Sequence, residues 1–175
     1  VYPQSNYVFK HALTREVVYE SILANRKKKL HEEIGDAIEA LYEDSLREHY
    51  EVLSEHYFSG ENYLKSAEYS RLASRKSEKV ASLNDAIIYS KKRVACLEHL
   101  PRTETVEKQI IDARVVLGLH LHQMYYHTEA REAIDPIINL AMKHNNQKRL
   151  SQIYTIMGSY NFIVKEDYPK AFEAY

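Results

Sequence analysis

The segment EHYEVLSEHY at residues 48–57 has the side chains most suggestive of chemistry. His49 and His56 could bind a metal ion, and the glutamates around them could act as general acids or bases. The two histidines are seven residues apart, which on one helix separates them by about 10 Å along the axis. Ligands of one metal ion lie about 2 Å from it, which on a helix favours residues three or four apart. Neither histidine has a metal-binding side chain at those spacings, so the sequence predicts half-buried structural histidines.

Two other groups of reactive side chains lack the partners that chemistry needs. In HLHQMYYH, no ligand stands four residues from His120 or His122, and His127 follows at the end of the segment. Cys96 lies on an apolar face, and only His99 is close enough in sequence to serve as its base. A nucleophilic cysteine needs a positioned base, so we expect a buried structural thiol. The sequence therefore indicates no catalysis, no metal and no cofactor in this chain.

The composition restricts the partners and the compartment. In the 175 residues, 24 Lys and Arg nearly balance 25 Asp and Glu, so no overall field attracts DNA or an anionic membrane. The basic run NRKKK at 25–29 is not continued by aromatic residues or a basic stripe, so we expect a solvated helix start without a nucleic-acid partner. No apolar run reaches membrane-spanning length. The single cysteine fits a reducing compartment, and we expect a cytoplasmic protein.

The hydrophobic periodicity predicts an all-α chain. With only 4 Gly and 4 Pro, few positions interrupt apolar residues that recur at three- and four-residue spacing. Asn84 and Thr103 fit helix N-caps, and Pro136 predicts a kink or break near Asp135. One strand is predicted, at 7–10. The predicted helices are 11–23, 26–43, 46–58, 62–79, 83–99, 104–125, 127–144, 147–164 and 168–175.

Large and small residues alternate along these helices at a fixed spacing. Tyr50, Leu53 and Tyr57 are large, whereas Ser54 and Ser66, twelve residues apart, are small. This pattern resembles the tetratricopeptide repeat, a helix–turn–helix of roughly 34 residues in which small residues let paired helices approach closely. The pattern recurs with a Leu-Gly pair at 117–118 and a Met-Gly pair at 157–158. The matching segments are 47–80, 111–144 and 151–175, the last one incomplete.

The resemblance has departures. Ser70 takes a slot for a medium-sized residue, Ile137 takes one for a small residue, and Ala171 arrives one residue late. Between 60 and 110 the register is ambiguous, because 83–99 looks like a second helix whose first helix would be 62–79. The preceding repeat already uses that helix. The resemblance implies an antiparallel helix-pair solenoid, a right-handed superhelix that binds partners in its concave groove.

The first part of the chain has a separate resemblance. YVFKHALTREVVYESILANRKKKLHEEIGDAIEALY, with its aromatic strand, basic turn and LHEEIGDAIE segment, resembles the C-terminal end of the ATPase module of large bacterial signalling proteins. In many of these, an adenylate or guanylate cyclase domain precedes the ATPase and tetratricopeptide repeats follow it. The resemblance assigns 1–45 to the end of the ATPase module and its linker helices, and 46–175 to repeats. It implies a regulatory part of an ATP-dependent signalling protein of the cyclase type.

The catalytic parts of that family are not expected in this chain. The four glycines at 35, 60, 118 and 158 cannot form a phosphate-binding loop. The chain lacks an initiator Met and stops within a repeat pattern, so we expect a piece of a larger protein. The alternative function is a nucleic-acid-associated transcriptional regulator with a winged-helix-like N-terminus.

The repeat register predicts a partner groove that is acidic at one end and apolar at the other. It would accept a protein or peptide with a basic end and an apolar anchor, or another domain of the parent chain. The apolar end could equally be a surface that packs against the next repeat. The predicted groove residues are Glu48, Glu51, Glu55, Phe58, Asp112, Val115, Leu119, His122, Gln123, Gln152, Thr155, Phe162 and Ile163.

Overall fold

The computed structural model of the chain describes residues 12–173, and these residues form helices with no strand among them. Two short 3-10 segments, at Glu43–Glu48 and Asp135–Ile137, interrupt the series. The strand predicted at 7–10 lies outside the described residues. The helices are α1 (Ala12–Ser21), α2 (Ala24–Leu41), α3 (Tyr50–Ser59), α4 (Tyr63–Lys79), α5 (Leu83–Glu98), α6 (Glu104–Gln123), α7 (His127–Ile134), α8 (Ile138–Lys143), α9 (Gln147–Ile163) and α10 (Tyr168–Glu173).

The all-helical prediction is confirmed, and one predicted helix is divided. The segment predicted as 127–144 ends as α7 at Ile134, passes through a 3-10 turn and resumes as α8. Pro136 lies in that turn, where its ring and missing N–H oppose a continuous helix. The break predicted near Asp135 is therefore confirmed.

One of the two predicted N-caps is correct. The Thr103 side chain accepts a hydrogen bond from the Val106 backbone N–H, as expected. Asn84 is not a cap, because α5 already begins at Leu83 and Ser82 is the residue before it. Asn62 and Asn146 cap α4 and α9, and neither of these caps was predicted.

In residues 12–173, five connections between helices share one backbone conformation. Each contains a non-glycine residue in the left-handed region, with φ between 49° and 62°. At four of them, the N–H of the following residue reaches back five residues to a helix carbonyl, as Ser82 does to Ser77 at 2.9 Å. This arrangement satisfies carbonyl groups that the helix end would leave open. The five residues are Glu61, Ala81, Tyr125, Asn145 and Glu166.

Buried serines let α3, α4 and α5 approach closely. The Ser54 and Ser70 hydroxyls are 2.7 Å apart, and Ser66 donates to the Ser54 carbonyl at 2.9 Å. The same twelve- and sixteen-residue spacings recur between α4 and α5, where Ser74 lies 2.9 Å from Ser90 and donates to the Ala86 carbonyl. Helix α4 therefore belongs to two helix pairs at once, which explains the ambiguous register between 60 and 110.

A glycine has the corresponding role in the second half of the chain. A side chain at Gly118 would place its Cβ 2.9 Å from Ile134 and 3.0 Å from Ile156. Helix α6 can thus contact α7 and α9 closely at this point. The residues predicted for the repeat slots here are confirmed as buried: Leu117, Leu121, Ala130, Ile134 and Ile137.

Side chains also connect helices that are not consecutive. Lys65 of α4 binds Asp36 and Glu39 of α2, both at 2.8 Å, and Lys92 of α5 pairs with Glu55 of α3. On α6, the ring of His120 lies 4.0 Å from Glu78 of α4. Side chains therefore link α2 to α4, α4 to α6 and α3 to α5, in addition to the packing of consecutive helices. None of the helices in residues 12–173 is long and apolar enough to cross a membrane.

Candidate partner-binding site

A cavity of about 260 Å³ lies between α4, α5 and α6. Three arginines and two carboxylates line it, together with small polar side chains at its floor and two aliphatic side chains on α6. The lining residues are Arg71, Ser74, Arg75, Glu78, Ser90, Arg93, Asp112, Val116, Leu119, His120 and Gln123.

The floor of the cavity is a chain of buried polar groups. The Ser90 hydroxyl lies 2.9 Å from Ser74 and 3.2 Å from Nδ1 of His120. All three side chains are almost fully buried. Burial lowers the pKa of His120, and the nearby Glu78 carboxylate opposes this shift only in part. The floor is therefore a fixed, neutral hydrogen-bonded surface.

Serine, histidine and glutamate also occur in hydrolytic sites, but here the serine is not presented to a substrate. Ser90 is 2% exposed, and its hydroxyl is engaged by both Ser74 and His120. A nucleophile must reach the reacting atom, so this hydroxyl has a structural role.

Charged groups fix one side of the cavity. Asp112 of α6 accepts a hydrogen bond from Arg93 of α5 at 3.0 Å and pairs also with Arg149 of α9. Burial alone would raise the pKa of Asp112, but the two guanidinium groups hold it below its usual value. Across the cavity, Arg71 pairs with Glu68, whereas Arg75 makes no ion pair among the described residues. The rim thus has more positive than negative charge.

The predicted groove residues of α6 lie in different environments. Asp112, Leu119 and Gln123 line the cavity. Val115 does not, because its side chain is 0% exposed in the core. His122 faces His127 at the start of α7 instead.

The face of α6 that borders the cavity is rotated from the face that was predicted to line the groove. Positions four, seven and eleven after Asp112 lie on one face, and they are Val116, Leu119 and Gln123. Val116 and His120 were not among the predicted groove residues, although this spacing alone could have identified Val116.

The glutamates of the opening segment do not form an acidic end of this cavity. Glu51 pairs with Lys76 at 3.0 Å, and Glu55 pairs with Lys92. The Lys92 ammonium also lies 5.6 Å from the centre of the Phe58 ring. Glu48 is exposed. None of the residues lining the cavity belongs to α3, so the α3 and α6 positions predicted for one groove do not meet there.

The predicted residues of α9 lie beyond the cavity. Gln152 accepts a hydrogen bond from Arg149 at 2.7 Å, and exposed Thr155 donates to the Ser151 carbonyl at 3.0 Å. Phe162 and Ile163 are about half exposed, at 50% and 52%. Val164, Tyr168 and Phe172 are exposed as well, and the ring centres of Phe162 and Tyr168 lie 5.3 Å apart.

The remaining reactive side chains have structural partners. The His49 ring contacts the Tyr42 ring at a tilt of 36°, with ring centres 4.1 Å apart. Nδ1 of His56 lies 3.0 Å from Nδ1 of His31 on α2, a partner that a search along one helix could not find. Residues 12–173 contain no group of three or more His, Cys, Asp or Glu side chains that could hold a metal ion.

Cys96 is buried, as predicted. Its thiol lies 3.2 Å from the Ser66 hydroxyl. Burial raises the pKa of the thiol, which opposes formation of the reactive thiolate. His99, the one candidate base nearby in the sequence, stacks on Tyr63 with ring centres 4.3 Å apart.

The basic segment 25–29 is neutralised locally. Lys27, Lys28 and Lys29 pair with Glu20, Glu61 and Glu33 respectively. These ion pairs fit the prediction of a solvated helix start.

No protein-family model, curated protein or solved structure matches this chain.

Proposed function

We propose that the chain is a protein–protein interaction module, built as a solenoid of tetratricopeptide-like helix pairs. The close approach of paired helices at Ser54, Ser74 and Gly118 supports this proposal. A stack of such pairs leaves a surface between alternate helices that can receive a segment of another protein.

The observation that carries the proposal is the cavity between α4, α5 and α6. It combines a rigid polar floor, an aliphatic strip at Val116 and Leu119, and an arginine rim at Arg71 and Arg75. A partner segment would place an apolar side chain on the strip and an acidic side chain at the rim. This differs from the basic partner expected from the sequence, because lysines neutralise Glu51 and Glu55.

The module would serve a regulatory role in a multidomain ATP-dependent signalling protein of the cyclase type. The resemblance of the N-terminal segment supports this placement. Within that segment, Gly35 of α2 packs against the Tyr57 ring of α3, where an added Cβ would lie 2.8 Å from the ring. A regulatory movement of the preceding segment would therefore be transmitted to the first helix pair. We propose no catalysis by this chain.

A peptide-display selection against the recombinant chain tests the proposal. Selected peptides should share an apolar residue near an acidic one, and Leu119→Glu or Arg75→Glu should abolish their binding. Ile88→Glu is the matched control, because Ile88 is 55% exposed on α5 and lies outside the cavity. Circular dichroism verifies that each variant is folded. Equal loss of binding in the control, or peptides insensitive to both cavity variants, would reject this site.

A further inference from the structure

Two neighbouring histidines have buried ring nitrogens without a hydrogen-bond partner. Nδ1 of His122 and Nδ1 of His127 are the two such side-chain atoms identified in the described part of the chain. Buried polar atoms are normally satisfied, so an unpaired one calls for an ion or a water molecule that completes it. The two atoms belong to neighbouring rings, so one ion bound between the rings would complete both.

The connection between α6 and α7 fixes the two rings. His122 lies in the last turn of α6, and His127 is the first residue of α7. Tyr125 has a φ of 62°, and the Tyr126 N–H donates to the Leu121 carbonyl at 2.9 Å. The ring centres are 5.3 Å apart, with 62° between the ring planes. The backbone therefore holds both imidazoles together.

This separation fits two imidazole ligands of one metal ion. A metal–nitrogen bond of about 2.0–2.1 Å, and about 1.1 Å from nitrogen to ring centre, puts two centres about 5.2 Å apart at a tetrahedral angle. The observed distance is 5.3 Å.

We propose that His122 and His127 form a binding site for a first-row transition-metal dication. Imidazole nitrogen suits Cu²⁺, Zn²⁺ and Ni²⁺, with Cu²⁺ bound most tightly. In this proposal the metal ion reaches the buried Nδ1 atoms past the partly exposed His122 ring, and water completes its coordination. His120, two residues earlier, does not participate, since its Nδ1 faces Ser90.

Calorimetric titration of the untagged chain with CuCl₂ and ZnCl₂ at neutral pH tests the site. One equivalent of metal should bind, with Cu²⁺ tighter than Zn²⁺. His122→Asn and His127→Asn should each weaken binding by more than about tenfold, since even partners outside the ligand shell change affinity by this much. In the unmodified chain, Cu²⁺ should selectively broaden the amide NMR signals of residues around 122–127.

The His31–His56 pair provides the matched control. Its ring centres are also close, at 5.2 Å, but its Nδ1 atoms already bind each other. His31→Asn should therefore leave the affinity unchanged. The site is rejected if the folded chain binds no stoichiometric metal and the orphaned nitrogens hold only water. It is also rejected if binding survives both His122→Asn and His127→Asn, or depends on His31 instead.

Discussion

At the residue scale, Val115 and Val116 of α6 are chemically identical neighbours in different environments. Val115 is 0% exposed in the core, whereas Val116 lines the cavity and is only half-buried. A carboxylate at Val115 would be buried without a partner, so Val115→Asp should lower the free energy of unfolding by about 3 kcal/mol or more. Val116→Asp should cost about 1 kcal/mol. Urea denaturation of both variants measures the difference.

Similar losses for these two variants would contradict the orientation of α6. A cavity-facing aspartate can be hydrated, so Val116→Asp should retain the native circular dichroism spectrum. Binding experiments should therefore use Val116 variants, because Val115 is buried and its substitution would affect folding.

The sequence predicted the buried residues of α6 better than its exposed ones. The spacing of Leu117, Gly118 and Leu121 depends on close packing, and all three are buried. The face that borders a cavity depends on how neighbouring helices are rotated. That rotation arises from contacts such as Arg93 to Asp112, which are nineteen residues apart in the sequence and leave no periodic signal.

At the scale of the element, alanine substitutions at Thr103 and Asn84 compare a residue that caps a helix with one that does not. The Thr103 side chain satisfies the Val106 N–H at the start of α6, so Thr103→Ala should cost about 1 kcal/mol. Asn84 is exposed and lies inside α5, where alanine is the better helix former. Asn84→Ala should therefore change stability by no more than about 0.5 kcal/mol. Thermal unfolding distinguishes the two outcomes, and an equal loss would place the start of α5 at Asn84.

The elements themselves were predictable because local patterns determine them. Apolar spacing located the helices, and Pro136 located the break between α7 and α8. The start of α5 at Leu83 was predicted correctly, but its N-cap was placed at Asn84 instead of Ser82, the residue that follows the left-handed Ala81. The sharing of α4 between two pairs was not predictable, since Ser74 and Ser90 form a contact that resembles the earlier one without a complete repeat around it.

At the scale of the whole molecule, buried histidines predict a loss of stability in mild acid. Burial lowers the pKa of His56 and His120 below the ordinary value of 6.5. The neighbouring His31 lowers the pKa of His56 further. The unfolded chain then takes up these protons at a higher pH than the folded chain. The stabilising effect is complete above 6.5 and declines as the pH falls through the lowered folded values.

Urea denaturation at about pH 7.5 and about pH 5.5, on either side of the ordinary histidine value, measures this decline. The double variant His56→Asn, His120→Asn should show a smaller difference between the two conditions. A variant in which exposed His99 is replaced by Asn controls for the loss of a histidine as such. An unchanged pH dependence in the double variant would mean that other groups cause the acid sensitivity.

The charge and shape of the molecular surface were the features least predictable from the sequence. Glu51 and Glu55 formed an acidic pattern along α3, but Lys76 and Lys92 from two other helices neutralise them. The cavity itself requires three helices, and its polar floor connects residues thirty positions apart. Such sites depend on tertiary contacts between positions distant along the chain.

The left-handed residues at the five connections have a practical consequence for handling this protein. Such a backbone is unfavourable for any residue with a side chain, and for Glu61, Ala81, Tyr125 and Glu166 more than for Asn145. These residues therefore lower the free energy of unfolding below the value that the packing alone would give. Glycine substitutions at these five positions would give a more stable starting variant. Destabilising substitutions in the cavity could then be studied in that variant without loss of the native fold.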